Sequence, residues 1–170
     1  MSCFDDIANV WDGRIPIPKI ENLYGLSGGL QVLKIAIDDH GFAPERAHPE
    51  DAGLDLRTPI GFVLEPNTSV VIDTKVHVEI PKGWAGLLVS KSGLNTKASI
   101  TSTGLIDSGY TGSIAVKLYN HGKNEYEFRP GDKISQLVFI SICTPELQLV
   151  KVEDLADSER GSNGYGSSGR

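Results

Sequence analysis

The sequence predicts an all-β domain, an antiparallel sandwich, barrel or jelly roll. Three observations lead there. Between residue 30 and about residue 152, short apolar or β-branched runs recur, each closed by a turn signal. Glycine and proline number 19 and 9, a turn-rich balance that favours many short strands. No long segment with the 3.6-residue period of a helix separates the runs, so antiparallel pairing is the expected topology.

Taken in order, residues 1–29 read as an extension. Within it Phe4, Ile7, Ala8 and Trp11 fall at helical spacing, with Ser2 placed to cap a short helix. Gly13, Pro16 and Pro18 would stop that helix, and Gly25 to Gly29 reads as a flexible joint. Its apolar stripe suits docking on the body or on a protein partner. The body spans residues 30–152. Its predicted strands are Leu30 to Ile37, Ala52 to Leu56, Ser69 to Ile80 with a break near Asp73, and Trp84 to Val89. Further strands are predicted at Ser113 to Tyr119, Glu125 to Phe128, Ile134 to Ile142 and Leu147 to Val152. Residues 153–170 form a glycine-rich tail expected to be mobile.

Composition narrows the function. The chain is 39% hydrophobic and 22% charged, as in ordinary soluble domains, and carries a net charge of -6. A non-specific nucleic-acid binder would normally be basic, so no direct nucleic-acid binding is expected. A phosphate ligand stays compatible, because a few local cations and a metal can hold one. Cys3 and Cys143 are too few and too far apart for a disulfide framework, which points to a reducing, cytoplasmic setting. No apolar run approaches a membrane span. Asp5 and Asp6 near the start are unlike the basic region of a secretory signal.

Five segments could carry chemistry. Asp55, within Ala52-Gly53-Leu54-Asp55-Leu56, is either a solvent-facing edge-strand acid or an acid aimed at a hydrated cation. Ser90-Lys91-Ser92-Gly93-Leu94 is either an ordinary strand exit or a phosphate cradle of hydroxyl, cation and backbone N–H. Gly104, Leu105, Ile106, Asp107, Gly109, Tyr110 and Gly112 read as a tight hairpin. Asp107 follows two apolar residues, so partial burial is expected; it serves the turn or takes a proton from water. Gln136 lies among apolar residues at the start of a strong strand, where a buried amide needs partners. In the tail, Arg160 and Tyr165 lie among glycines and serines, a disordered end or a flap that brings a cation to phosphate and a ring to a base.

These segments, in this order, resemble the five motifs of the trimeric dUTPase family. The resemblance covers residues 30–170, and the Gly104 to Gly112 and Arg160 to Gly169 segments are its most specific parts. It implies a β jelly roll that assembles as a homotrimer, with each active site built from three subunits. The implied reaction is hydrolysis of Mg²⁺-bound dUTP to dUMP and pyrophosphate, which supplies dUMP for thymidylate synthesis and keeps uracil out of DNA. Asp107 matches the carboxylate that activates water at the α-phosphorus. Tyr110 matches the ring beneath the deoxyribose, and Gly104, Leu105 and Ile106 the backbone that reads uracil. Lys91, Ser92, Gly93 and Gln136 match phosphate-binding positions, and Asp55 the acid that holds Mg²⁺ through water. In the tail, Arg160 matches the clamp on the γ-phosphate and Tyr165 the ring that stacks on uracil, with Gly166 and Ser167 beside it.

The chain departs from the family pattern in four places. Lys91 stands where arginine is usual and lacks its bidentate fork. Thr101 stands where an asparagine usually contacts uracil or water, Tyr165 replaces phenylalanine, and residues 1–29 have no counterpart. A dCTP deaminase looks similar around the hairpin, but its catalytic glutamate aligns with Lys117, which cannot act as that carboxylate. A non-catalytic nucleotide sensor on the same scaffold is the other rival. The presence of Asp107, Tyr110, Gln136 and Arg160 together favours an active enzyme.

Overall fold

The computed structural model describes residues 32–158 and Gly161. Among them ten strands carry the fold: β1 (Lys34–Ile37), β2 (Gly53–Arg57), β3 (Phe62–Leu64), β4 (Ser69–Asp73), β5 (Val76–Glu79), β6 (Trp84–Val89), β7 (Ile100–Ile106), β8 (Ala115–Asn120), β9 (Tyr126–Phe128) and β10 (Lys133–Ser141). A short helix, α1 (Ser92–Ala98), joins β6 to β7, and a 3-10 turn spans Val152–Asp154. The main sheet runs β2-β10-β6-β7-β8-β4, while β1 pairs with β5 and β3 with β9. Every pairing is antiparallel, as expected for an all-β chain without long helical crossovers.

Alternation builds the core. On β8, Val116, Leu118 and Asn120 turn inward while Ala115 and Lys117 face out. The inward residues join Leu56, Ile72, Leu88, Phe128 and Leu137, each 2% exposed or less. Strand β10 breaks the alternation, because Ile134 and Ser135 are both buried. Its register against β2 shifts between Lys133 and Ser135, and this bulge lets two consecutive residues turn inward.

A buried serine strap ties three strands where β6 ends. Ser135 Oγ donates to the Val89 carbonyl at 3.1 Å, so Ser102 Oγ donates to Ser135 across 2.8 Å. The Ser102 amide in turn donates to Ser90 Oγ at 2.9 Å. A buried network with its bonds made holds strand ends firmly, and here it fixes where Lys91 leaves the sheet.

Several expectations need correction. Leu147 to Val152 is not a strand: Leu147 and Leu149 are 91% and 99% exposed, and Val152 opens the 3-10 turn. Its apolar residues find no ladder partner within the described chain, and a strand without a partner is not formed. The first predicted strand shortens to Lys34–Ile37, with Leu30 outside the described residues. The Ser69 to Ile80 run does break, at Thr74 and Lys75, with Lys75 at a φ of 64°. Strands β3 and β7 and helix α1 were not anticipated. The extension 1–29 and the tail residues Arg160, Tyr165, Gly166 and Ser167 lie outside the described residues.

Candidate active site

Strands β2 and β10 set Asp55 opposite Gln136, and β6 sets Val89 on the other side of Gln136. Lys91, two residues beyond Val89, therefore reaches Asp55: its Nζ donates to Oδ1 at 2.5 Å. Lys133 Nζ stands 2.7 Å from Oδ2, an ion contact whose angles miss hydrogen-bond geometry and leave that oxygen without a hydrogen bond. The Asp55 side chain is 4% exposed. Burial alone would raise its pKa, but Lys133 and Lys91 outweigh burial and hold it below the ordinary carboxylate value. Arg57 joins the cluster through Glu45 and the Gly131 carbonyl.

Beside this cluster lies a cleft of about 640 Å³ lined by Lys91, Gly93, Lys97, Lys123 and Lys133, with Glu125 as its carboxylate. Helix α1 opens there with Lys91 as N-cap and no side chain bonding its first-turn amides. A Cβ on Gly93 would meet open space. Gln136 is half-buried and makes no side-chain hydrogen bond among the described residues. Ammonium groups, unbonded amides and a free carboxamide together suit a phosphorylated ligand.

The hairpin between β7 and β8 is built differently. Asp107 and Tyr110 are exposed, and so is Leu105; Gly104 and Ile106 are partly covered. The partial burial expected for Asp107 is thus corrected, because β7 ends at Ile106 and Asp107 starts the turn beyond the sheet. The turn is held by its backbone. The Tyr110 amide donates to the Asp107 carbonyl at 3.2 Å, and Tyr110 Oη donates to the Ser113 carbonyl at 3.0 Å. Gly109 sits at a φ of 86°, a region that favours glycine, and a side chain on Gly112 would collide with the Tyr110 ring. Ser113 Oγ bonds Asp73, whose carboxyl is lowered to about 2 by Lys75 and Ser113.

The structure brings Asp55, Lys91, Ser92, Gly93 and Gln136 to one end of the sheet and leaves Asp107 and Tyr110 at the other. Val89 faces Thr103 across β6 and β7, while Gly86 faces Ile106. Lys91 lies two residues past one end of that ladder and Asp107 four residues past Thr103, about 20 Å apart at strand spacing. Thr101 stays at the far end of β7 from Asp107, bonded through Oγ1 to His121 Nε2 at 2.9 Å. Sequence reasoning passed over Lys133, whose signal was a cation beside Gly131-Asp132 in the Gln136 segment. It also passed over Asp73 and His77, whose partners are distant in sequence.

Asp55, expected to hold Mg²⁺ through water, is engaged within this chain by cations instead. Two ammonium groups already face its oxygens, and a dication among them would be repelled. No group of three His, Cys, Asp or Glu side chains suited to a metal occurs among the described residues.

A β fold with a cationic cradle at one end of its sheet and a carboxylate hairpin at the other has the equipment of a phosphate-handling protein. Comparison with known proteins makes this specific. The dUTPase family model matches residues 39–169. The human mitochondrial deoxyuridine 5'-triphosphate nucleotidohydrolase is 36% identical over 144 residues, covering 84% of this chain and 56% of that protein. The Nocardia farcinica deoxyuridine 5'-triphosphate nucleotidohydrolase is 41% identical over 130 residues, covering 74% of this chain and 78% of its own. The dUTPase of Staphylococcus bacteriophage 80alpha, solved with dUPNHPP, superposes with a TM-score of 0.75 at 34% identity, covering 82% of this chain and 99% of that one. A dUTPase from phage phi11 of S. aureus, described with a structural Mg(II) ion, gives a TM-score of 0.67 at 33% identity, covering 74% of this chain and all of that one. This chain belongs to the dUTPase family.

Proposed function

We propose that this chain hydrolyses dUTP to dUMP and pyrophosphate, by attack of water on the α-phosphorus. The observation that carries the reading is the pairing of an exposed carboxylate, Asp107, on a bonded-down hairpin with a separate lysine cradle. Phosphoryl chemistry asks for placement and charge neutralisation more than covalent help, and these parts supply both. Asp107 takes the proton from water, Tyr110 packs under the sugar, and the backbone from Gly104 to Ile106 reads uracil. Ser92, Gly93, Lys91 and Gln136 hold the phosphates. Asp55 orients Lys91 and Lys133 rather than a metal, and Mg²⁺ arrives on the triphosphate as part of the substrate.

The active form is a homotrimer with sites shared between subunits. A general base must lie within hydrogen-bond reach of its water, and that water close to the reacting phosphorus. A separation of about 20 Å within one chain therefore supports a site that takes its cradle and its hairpin from different copies. The exposed arm carrying Leu147 and Leu149 supplies apolar surface for such assembly. Arg160, Tyr165, Gly166 and Ser167 close over the nucleotide as a flap, and the enzyme works in the cytoplasm. Pyrophosphate release with dUTP, dTTP, dCTP and UTP side by side, together with the mass in solution, tests this. No preference for dUTP would overturn the substrate assignment, and an active monomer would overturn the shared site.

A further inference from the structure

We propose that His77, held by Asp38, is a positioning residue for the hairpin that carries Asp107 and Tyr110, and that it acts as an imidazolium. The inference rests on the dUTP-hydrolysis reading and adds to it a residue outside the five motifs. His77 lies on β5 between buried Val76 and Val78, so its ring turns away from the core. Its Nδ1 is 2.8 Å from the carbonyl oxygen of Thr111, the residue after Tyr110. Its Nε2 is 3.1 Å from Asp38 Oδ2.

The partners decide the protonation. A carbonyl oxygen only accepts a hydrogen bond, and so does an ionised carboxylate. A neutral imidazole has one N–H and satisfies one of them; the imidazolium satisfies both. The surrounding charges agree. Asp38, which follows β1, bonds the ring, and the charge of Asp73, which ends β4, adds to the same effect. The cations nearby are engaged elsewhere: Lys34 pairs with Glu79 at 3.0 Å and Lys75 with Asp73 at 2.7 Å. The Thr111 carbonyl, then Asp38, raise the His77 pKa above its ordinary value.

A raised folded-state pKa means that the brace is complete below the ordinary histidine value and is lost as pH rises through the raised one. The one N–H left on the neutral ring goes to the charged acceptor, Asp38, so the hairpin keeps its anchor at Ser113 and Asp73 but loses the one at Thr111, adjacent to Tyr110. Loosening that segment misplaces Asp107 and Tyr110 together. Small misplacements of reacting groups are costly, so turnover should fall roughly 10-fold.

The test uses the whole chain labelled uniformly with ¹⁵N. The chain has four histidines, so His77→Gln assigns the ring signals by difference. The expected result has both His77 nitrogens protonated at pH 6, a midpoint above that of free histidine, and the Thr111 amide moving with the same midpoint. Asp38→Asn should lower that midpoint. In turnover, the wild type should lose activity through the same midpoint, Asp38→Asn should lose it at lower pH, and His77→Gln should sit at the low level throughout. A neutral ring at pH 6, a Thr111 amide indifferent to the titration, or coincident pH profiles for wild type and His77→Gln would each overturn the proposal. If the wild type released no pyrophosphate from dUTP, the function reading would fall by itself, and the ring and amide titrations would still decide the brace.

Discussion

The cradle around Asp55 and the hairpin around Asp107 are held by opposite means. In the cradle, side chain meets side chain: a nearly dry carboxylate binds two ammonium groups, with a serine strap beneath. In the hairpin, the backbone carries most of the anchoring bonds, through the carbonyls of Asp107, Thr111 and Ser113, with Ser113 Oγ on Asp73 as the one side-chain pair among them. That leaves Asp107 and Tyr110 exposed. The cradle is complete once the chain folds, because its charges satisfy one another. The hairpin is a shaped edge whose functional side chains still lack a second wall.

The sharpest way to break this contrast is Asp107→Asn. It should cut turnover by about 10²- to 10⁴-fold while dUTP binding and thermal stability stay near wild type, as measured by pyrophosphate release and calorimetry. A large loss of stability would show the residue to be structural. Lys91→Ala should act on the opposite half of the site. Mixed trimers of Asp107→Asn and Lys91→Ala subunits should recover activity that neither has alone, since some of their sites take the intact cradle from one copy and the intact hairpin from another. No gain in confirmed mixed trimers would mean that both halves serve the same site from one chain.

Asp55→Ala should lower stability by about 1.5–3 kcal/mol, the worth of hydrogen bonds to charged groups. The lower half of that range is expected, because Lys91 and Lys133 keep 24% and 33% of their side-chain exposure. Since the folded Asp55 pKa is depressed, its contribution is present above the unfolded value of about 3.9 and fades as pH falls through the folded one. Urea unfolding at several pH values should show the gap to wild type narrowing below about pH 4. A gap independent of pH would remove charge from the explanation.

Tyr110→Ala should weaken the preference for dUTP over UTP by about 10-fold, through loss of close contact under the sugar, read from the ratio of kcat/KM values. An unchanged ratio would place sugar discrimination elsewhere. The smallest effect belongs to Asp73→Ala. The residue anchors Ser113 from an exposed position, so stability should change by less than about 1 kcal/mol. Because the Asp73 pKa is lowered to about 2, whatever it contributes is lost only as pH falls toward that value. A change above that bound, measured by denaturant unfolding at neutral pH, would make Asp73 a principal support of the hairpin.

What the sequence determined by itself was local. Alternation in Val116, Leu118 and Asn120, the turn glycines, and the order of five short segments were enough for the all-β class, for most strands and for the family. Each of those signals is contained in a few consecutive residues, where backbone preference and side-chain period act directly. The tertiary structure decided which distant residues meet. Lys91 and Lys133 reach Asp55 because β6 and β2 flank β10, with a bulge at Ile134. His77 reaches Thr111 across 34 residues of chain. It also decided that Leu147 to Val152 has no ladder partner among the described residues and that cradle and hairpin stand at opposite ends of one sheet. Pairing partners and register arise from the summed burial and hydrogen bonding of the whole sheet, so no local stretch of sequence encodes them.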